Sequence, residues 1–255
     1  LYPSEIKAGY IPPGGLKPGY ALKIMTGGLI PSPCDAVVMV ENTEEKNGGI
    51  IVYKDVEKYE NIRFRGEDIK EGELVIKKGV KIRASEIGML AALGKSKVPV
   101  IKRPDVAIIS TGDELIDIDE PPNLGKIRDS NSYAIYALTL KYGGIPKKIG
   151  IAKDNIDETR ILLGRAMESD VIVSSGGVSM GSYDFVKDVF KELGGKIFFS
   201  EVAQRPGKPM VFGEIEGRLF FGLPGNPVSS QICFEHFIRP TLLKMQGIQL
   251  SLIHI

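Results

Sequence analysis

Histidine and cysteine are scarce in this 255-residue chain, with two of each. The histidines, His236 and His254, are too few for a histidine-rich metal site. The cysteines, Cys34 and Cys233, lie far apart and lack the spacing of a metal-ligand set. Both sit among apolar residues, which points to buried thiols and a reducing, cytoplasmic compartment. An excess of one charge is also missing. Lys and Arg number 33 against 32 Asp and Glu, a net charge of +1, so no nucleic-acid footprint is present. No apolar run is long enough to cross a membrane. There is no internal repeat, no low-complexity tract and no signal-peptide pattern after Leu1. What is present is 43% apolar and 25% charged residues, the balance of a soluble globular protein. The length suits one large domain or two smaller ones.

Two textures divide the chain. Residues 1–62 are rich in Pro, Gly, Val and Ile, in short runs bounded by turn signals. Residues 37–40 and 50–53 read as strands around a hairpin signal at Asn47-Gly48-Gly49, which predicts a small β-rich domain. Residues 63–102 carry a β stretch at 74–76 and a helix over 85–93, N-capped by Ser85 and closed by Gly94. From Arg103 onward, apolar runs at 106–109, 148–151, 171–173 and 219–221 alternate with helices at about 131–142, 156–168, 183–193 and 228–246. Asn155 and Glu158 have the spacing of a capping box, and Gly143 and Gly194 stand where helix-closing glycines belong. Continuous apolar strands alternating with helices predict an α/β fold over 103–247, a mostly parallel sheet with helices on both faces. Residues 248–255 follow a helix that has already ended at Gly247 and are expected to be a non-native or disordered tail.

Sheets of this kind bind ligands beyond the carboxyl ends of their strands. That rule selects three loops, expected to converge on one sheet edge: 110–115 (STGDEL), the glycine-rich stretch opening SSGGVSMGSYDF at Ser174, and 222–228 (GLPGNPV). In the second loop, Gly176, Gly177 and Gly181 let backbone N–H groups approach an anion, while Ser174, Ser175 and Ser179 add hydroxyls. The helix behind it presents a positive N-terminus. A flexible surface turn is the alternative reading of the same residues. Asp113, Glu114, Asp154 and Asp184 stand at strand-to-helix ends around that loop. Each alone reads equally as a turn or helix cap. Together, beside a phosphate loop, they form an arrangement that holds Mg²⁺ between protein and phosphate. The segment 204–209 (QRPGKP) carries Arg205 and Lys208 on a stiffened backbone, suited to an oxyanion or to a solvated basic turn. Pro224 and Pro227 flank Gly225 and Asn226 in a loop of set shape, either for a ligand or as a rigid lead into the last helix. Cys233 and His236, three apart on that helix, read as core rather than as metal ligands.

Seven ordered stretches carry a resemblance: 24–27 (IMTG), 35–39 (DAVVM), 65–69 (RGEDI), 110–115 (STGDEL), 174–179 (SSGGVS), 205–209 (RPGKP) and 222–227 (GLPGNP). In this order they resemble the MoeA-like molybdopterin molybdenumtransferases, a family that includes the corresponding part of gephyrin-type proteins. The resemblance runs to about Gly247. It implies an enzyme of molybdenum cofactor biosynthesis that inserts molybdate or tungstate into adenylylated molybdopterin and releases AMP with the help of Mg²⁺. Family site positions match Thr26, Asp68, Glu114, Asp154 and Asp184. Of these, Glu114, Asp154 and Asp184 are expected at the metal. Arg205 matches the cationic oxyanion position, Lys208 is expected to assist it, and Pro224 and Pro227 match the ligand loop. Ser175, Gly176, Gly177, Ser179 and Gly181, with Gly225 and Asn226, complete the expected pterin and phosphate contacts. The resemblance also implies a homodimer with its site built between two chains, a molybdopterin adenylyltransferase as partner, and small-molecule substrates only. It further implies a layout of part of a small β domain (1–62), part of an elongated linker domain (63–102) and a molybdopterin-binding domain (103–247). The chain departs from the family in lacking the N-terminal Met-Asp-Gly-Tyr-Ala segment and the C-terminal β domain. Glu201 stands where many relatives carry lysine. Competing readings are a molybdopterin adenylyltransferase, a receptor-binding scaffold, and a fragment that binds ligand without turnover.

Overall fold

A computed structural model describes residues 5–12, 14–177 and 185–248. The chain divides into two compact units, Leu1–Val75 and Ile76–Ile255. The tail beyond residue 248 lies outside the described residues. No described helix is long and apolar enough to cross a membrane.

In the first unit, β1 (Glu5–Ile6) pairs in parallel with β2 (Lys23–Ile24). A 3₁₀ turn at Val40–Asn42 leads into a hairpin of β3 (Thr43–Lys46) and β4 (Gly49–Val52). Lys46 pairs with Gly49, so Asn47 and Gly48 form a two-residue loop, both with the positive φ (52° and 75°) of a type I′ turn. The turn sits at the expected Asn-Gly signal, but its first strand is 43–46 rather than 37–40. A two-residue loop fixes the register and demands a strand that ends directly before it. Residues 74–76 join no ladder.

The second unit opens with α1 (Ala84–Ala92). Its cap is Arg83, not Ser85, because the Glu86 carboxylate reaches back to accept the Arg83 N–H at 2.8 Å. There follow β5 (Asp105–Thr111), the short strands β6 (Leu115–Ile116) and β7 (Ile127–Arg128), α2 (Ser130–Lys141), β8 (Ile145–Ala152), α3 (Ile156–Ala166), β9 (Val171–Ser175) and α4 (Phe185–Glu192). The chain continues through β10 (Lys196–Glu201), β11 (Pro209–Ile215), β12 (Arg218–Leu223), α5 (Pro227–Cys233), a π-helical turn (Phe234–Ile238) and α6 (Arg239–Met245). The six-stranded sheet runs β10-β11-β12-β9-β5-β8. Its last four strands are mutually parallel, and the β10–β11 and β11–β12 pairs are antiparallel.

Period-two alternation sends neighbouring side chains to opposite faces. Val106, Ile108, Val171, Val173, Phe221 and Leu223 pack with Ile135, Cys233, Phe234, Ile238 and Leu242 from α2, α5, the π turn and α6. Ala107, Ile109, Ile172, Phe220 and Val211 pack with Leu163, Ala166, Val186, Val189 and Phe190 from α3 and α4. The sheet is therefore the middle of three layers, as the apolar runs predict. The expected helix at 228–246 is interrupted. Pro240 has no N–H to donate, and the Arg239 N–H bonds back five residues to the Phe234 carbonyl. Asn155 caps α3 by accepting from the Asp157 and Glu158 N–H groups, but the Glu158 carboxylate accepts from Lys153 rather than closing the box on Asn155. Cys233 is buried, which pushes its thiol up to about 11, whereas Cys34 is half-exposed rather than buried as its apolar neighbours suggest.

Candidate active site

The carboxyl ends of β5, β8, β9 and β12 open into one cavity of about 450 Å³. Thr111 and Glu114 enter it after β5, Asp154 after β8, Ser175, Gly176 and Gly177 from β9, and Pro224, Gly225 and Pro227 after β12. The first turn of α2 closes one side with Asp129, Ser130 and Asn131. The three selected loops thus meet at one sheet edge.

The glycine-rich loop is held by close packing. Gly176 and Gly177 both take positive φ (88° and 64°). A Cβ on Gly176 would stand 2.6 Å from the Thr111 carbonyl oxygen, and one on Gly177 2.6 Å from Thr111 Oγ1. Glycine is therefore required by conformation and by space. The Gly176 N–H donates to the Leu223 carbonyl at 3.0 Å and is spent on structure. Among the described residues the Gly177 N–H has no partner. Ser174 is fully buried, and its hydroxyl faces Gly176 O at 3.5 Å within the loop, not a ligand. Ser175 Oγ accepts from Asn131 Nδ2 at 2.8 Å.

Asn131 was not apparent from sequence reading. Its Nδ2 also donates to Gly225 O at 2.8 Å, so one amide joins the glycine-rich loop to the proline loop. The partners lie 44 and 94 residues away, and no local pattern shows the link. Asp129 was likewise missed. Its Oδ1 accepts from the Ser132 N–H and caps α2, while its buried Oδ2 has no partner among the described residues. Thr111 Oγ1 is unpartnered in the same way. Two buried polar atoms in cavity-lining residues are thus left unsatisfied, which a protein interior tolerates poorly.

The other loops combine structural contacts with positions that line the cavity. Asp113 Oδ1 accepts the Asp154 N–H at 3.1 Å, a structural cross-link that leaves the Glu114 and Asp154 carboxylates in the cavity wall. Asn226 turns away to cap α5, accepting from Val228 and Ser229 N–H groups at 3.0 and 3.1 Å, while Pro224, Gly225 and Pro227 face the cavity. Arg205 and Lys208 are exposed and do not line the cavity, although Pro209 does. Lys208 Nζ lies 3.3 Å from Glu201 Oε2, and Arg205 makes no ion pair among the described residues. Thr26 and Asp68 belong to the N-terminal unit, where both are exposed and Asp68 pairs with Arg63 at 3.3 Å. Ser179, Gly181 and Asp184 lie outside the described residues. Among the described residues no group of three His, Cys, Asp or Glu side chains is placed to hold a metal ion. Cys233 lies in the core as expected, whereas His236 is exposed rather than core. Cys233 Sγ faces Gly207 O at 3.5 Å, and His236 Nδ1 bonds Gln204 Oε1 at 2.9 Å.

Comparison with known proteins agrees with this architecture. Residues 107–244 match the family described as "Probable molybdopterin binding domain", and residues 2–94 match "MoeA N-terminal region (domain I and II)". A molybdopterin molybdenumtransferase of Nostoc sp. is 39% identical over 249 residues, covering 96% of this chain and 57% of that protein. One from Staphylococcus epidermidis is 37% identical over 244 residues, covering 95% and 58%. The crystal structure of a molybdopterin biosynthesis MoeA protein from Pyrococcus horikoshii superposes with a TM-score of 0.82 at 35% identity, over 95% of this chain and 61% of that one. The chain therefore spans a little under three fifths of the curated relatives it matches. A three-layer α/β unit whose strand ends, glycine-rich loop and proline loop enclose one cavity, matched over 107–244 and preceded by a matched MoeA N-terminal region, places the chain in the molybdopterin-binding domain family, in its MoeA-type arrangement.

Proposed function

We propose that the protein to which this chain belongs inserts molybdate, or tungstate, into the dithiolene of adenylylated molybdopterin and releases AMP. The observation that carries the reading is the cavity itself. Four parallel strand ends bring a glycine-rich loop, a proline loop and two carboxylates together, in a chain similar to proteins named molybdopterin molybdenumtransferase. The Gly177 N–H, which has no partner among the described residues, is the amide offered to a phosphate oxygen, and Thr111 Oγ1 and the Ser175 hydroxyl are polar groups beside it. Pro224, Gly225 and Pro227 form a rigid wall for the pterin. Arg205 and Lys208, outside the wall, supply positive charge for molybdate or for the departing phosphate.

Glu114 and Asp154 are oxygen donors of the kind that Mg²⁺ takes, and this ion is commonly held by one or two carboxylates together with substrate phosphates. These two, with Asp184, are the residues that would hold it. Bound there, Mg²⁺ supplies charge neutralisation on the phosphoanhydride. Thr26 and Asp68 complete the proposed site residues. The same reading gives a cytoplasmic homodimer that receives its substrate from a molybdopterin adenylyltransferase. Free thiols at Cys34 and Cys233 suit that compartment.

The test is AMP release from adenylylated molybdopterin with Mg²⁺, with and without molybdate. It is run on this chain and on a version extended to the relatives' full length. Molybdate-stimulated release by the longer version is the expected result. ATP consumption on free molybdopterin, with no AMP release by either version, would replace this reading with the adenylyltransferase.

A further inference from the structure

We infer that His236 is a positioning residue which, through Gln204, holds the turn at 204–208 in the shape that presents Arg205 and Lys208 to an oxyanion. The inference rests on the first of the two oxyanion roles proposed above, with molybdate rather than the departing phosphate as the anion these cations hold. Its geometry is independent of that role. Gln204 Nε2 lies 2.9 Å from the Pro206 carbonyl oxygen, and a carbonyl only accepts, so the amide orientation is fixed with N–H toward Pro206. Oε1 then faces His236 Nδ1 at 2.9 Å. An amide oxygen also only accepts, so Nδ1 carries the proton and donates. His236 thereby orients the side chain that clamps the turn from inside.

The rest of the turn is closed around this contact. The Val202 N–H donates to the Lys208 carbonyl at 2.9 Å, and the Gln204 N–H to the Val202 carbonyl at 2.8 Å. Gly207 takes φ +106°, and a Cβ there would stand 2.7 Å from both Cys233 Sγ and Gln204 Nε2. The turn is therefore seated against the end of α5 and the π-helical turn that contains His236. Pro240 follows that widened turn in the first turn of α6, and such insertions recur at functional sites. Side-chain contacts do little to fix either cation: Arg205 has no ion pair among the described residues, and Lys208 has one exposed pair, with Glu201 at 3.3 Å. Their placement is left to the backbone, and Gln204 and His236 set the backbone. His236 is exposed and outside both apolar clusters, so replacing it does not threaten the fold.

The test compares the parent chain with His236→Leu, which removes the donor, and His236→Asn, which keeps an N–H at similar reach. Molybdate and AMP affinities are measured by titration calorimetry, and amide exchange is followed over residues 202–208. For His236→Leu, molybdate affinity is expected to fall about 5-fold, the scale of one lost hydrogen bond. The Val202 and Gln204 amides should exchange faster, and AMP affinity should hold. His236→Asn should restore both molybdate affinity and exchange protection. Unchanged molybdate affinity and unchanged exchange in His236→Leu would overturn the assignment, as would an equal loss of AMP affinity. A parent chain with no saturable molybdate binding would instead overturn the oxyanion reading, a result distinguishable because the exchange comparison needs no ligand.

Discussion

Among the described residues of Leu1–Val75, Ile6 and Pro31 are the two that are buried, while Tyr10, Ile11 and Leu74 are 68%, 87% and 72% exposed. Between Asp105 and Met245, both faces of the sheet carry continuous apolar clusters whose members are almost wholly excluded from solvent. The first region is held by turns and exposed polar contacts, such as Asn61 Nδ2 to Val37 O at 2.8 Å and Lys54 to Glu60 at 2.9 Å. The second is held by burial. Exposed ion pairs and hydrogen bonds contribute little net stability, whereas each buried large apolar side chain contributes kilocalories. The two regions should therefore answer very differently to the same kind of substitution.

The largest expected difference is in the apolar positions. Phe220 is fully buried and stacks on Phe190 at 4.3 Å between centroids. Phe220→Ala should cost about 3–5 kcal/mol in urea unfolding. Ile51→Ala, on an exposed hairpin position (40% accessible), should stay within about 0.5 kcal/mol. Similar losses at the two positions would break the comparison.

Next comes the site loop. Gly177→Ala places a Cβ 2.6 Å from Thr111 Oγ1 and 2.8 Å from Val186 Cγ2, at φ +64°. Left-handed strain and overpacking together should cost about 2–4 kcal/mol. AMP release by the full-length version should fall with it, because the same loop lines the cavity. Stability lost without any change in release would detach this loop from the reaction.

The third contrast pairs two asparagines that bridge distant segments. Asn131→Ala breaks a partly buried link to Ser175 and an exposed one to Gly225, and should cost about 1–3 kcal/mol. Asn61→Gly keeps the positive φ (58°) and removes one exposed bond, so it should cost under about 1 kcal/mol. Chemical denaturation of both variants checks the ordering.

The same contrast decides what the sequence makes legible. The apolar runs at 106–109, 171–173 and 219–221 fall inside β5, β9 and β12, because a strand buried on both faces writes itself as a continuous run. β10 and β11 hold apolar runs of equal length at 197–199 and 210–212, but no helix separates these strands, so the strand–helix alternation does not pick them out. In the N-terminal region the Asn-Gly turn is readable from stereochemistry, but the strand before it is not, since Thr43–Lys46 has no apolar run at all. The cavity was readable as three loops at strand ends. Asn131 was not, because its partners are set by topology rather than by spacing, and the placement of Arg205 and Lys208 outside the wall depends on how the 204–208 turn seats against the last helix.

The smallest effect concerns α1, a helix that buries none of its side chains and so resembles the N-terminal region in what it lacks. Its start depends on one cap. The side-chain hydrogen bond from Arg83, and then the Arg83 backbone N–H, lower the Glu86 carboxyl to about 2. The unfolded value is near about 4.3, so the folded value is the lower of the two. The stabilisation is therefore complete above the unfolded value and is lost as pH falls from there through about 2. Amide exchange at Ile87, whose N–H donates to Arg83 O at 3.0 Å, should lose protection across that window after correction for intrinsic rates. Glu86→Gln should begin with less protection at neutral pH and show a flatter profile below it. Core amides in β5 and β9 should not follow either change. If they did, α1 would open only together with the sheet, and its resemblance to the poorly buried region would be one of composition rather than of stability.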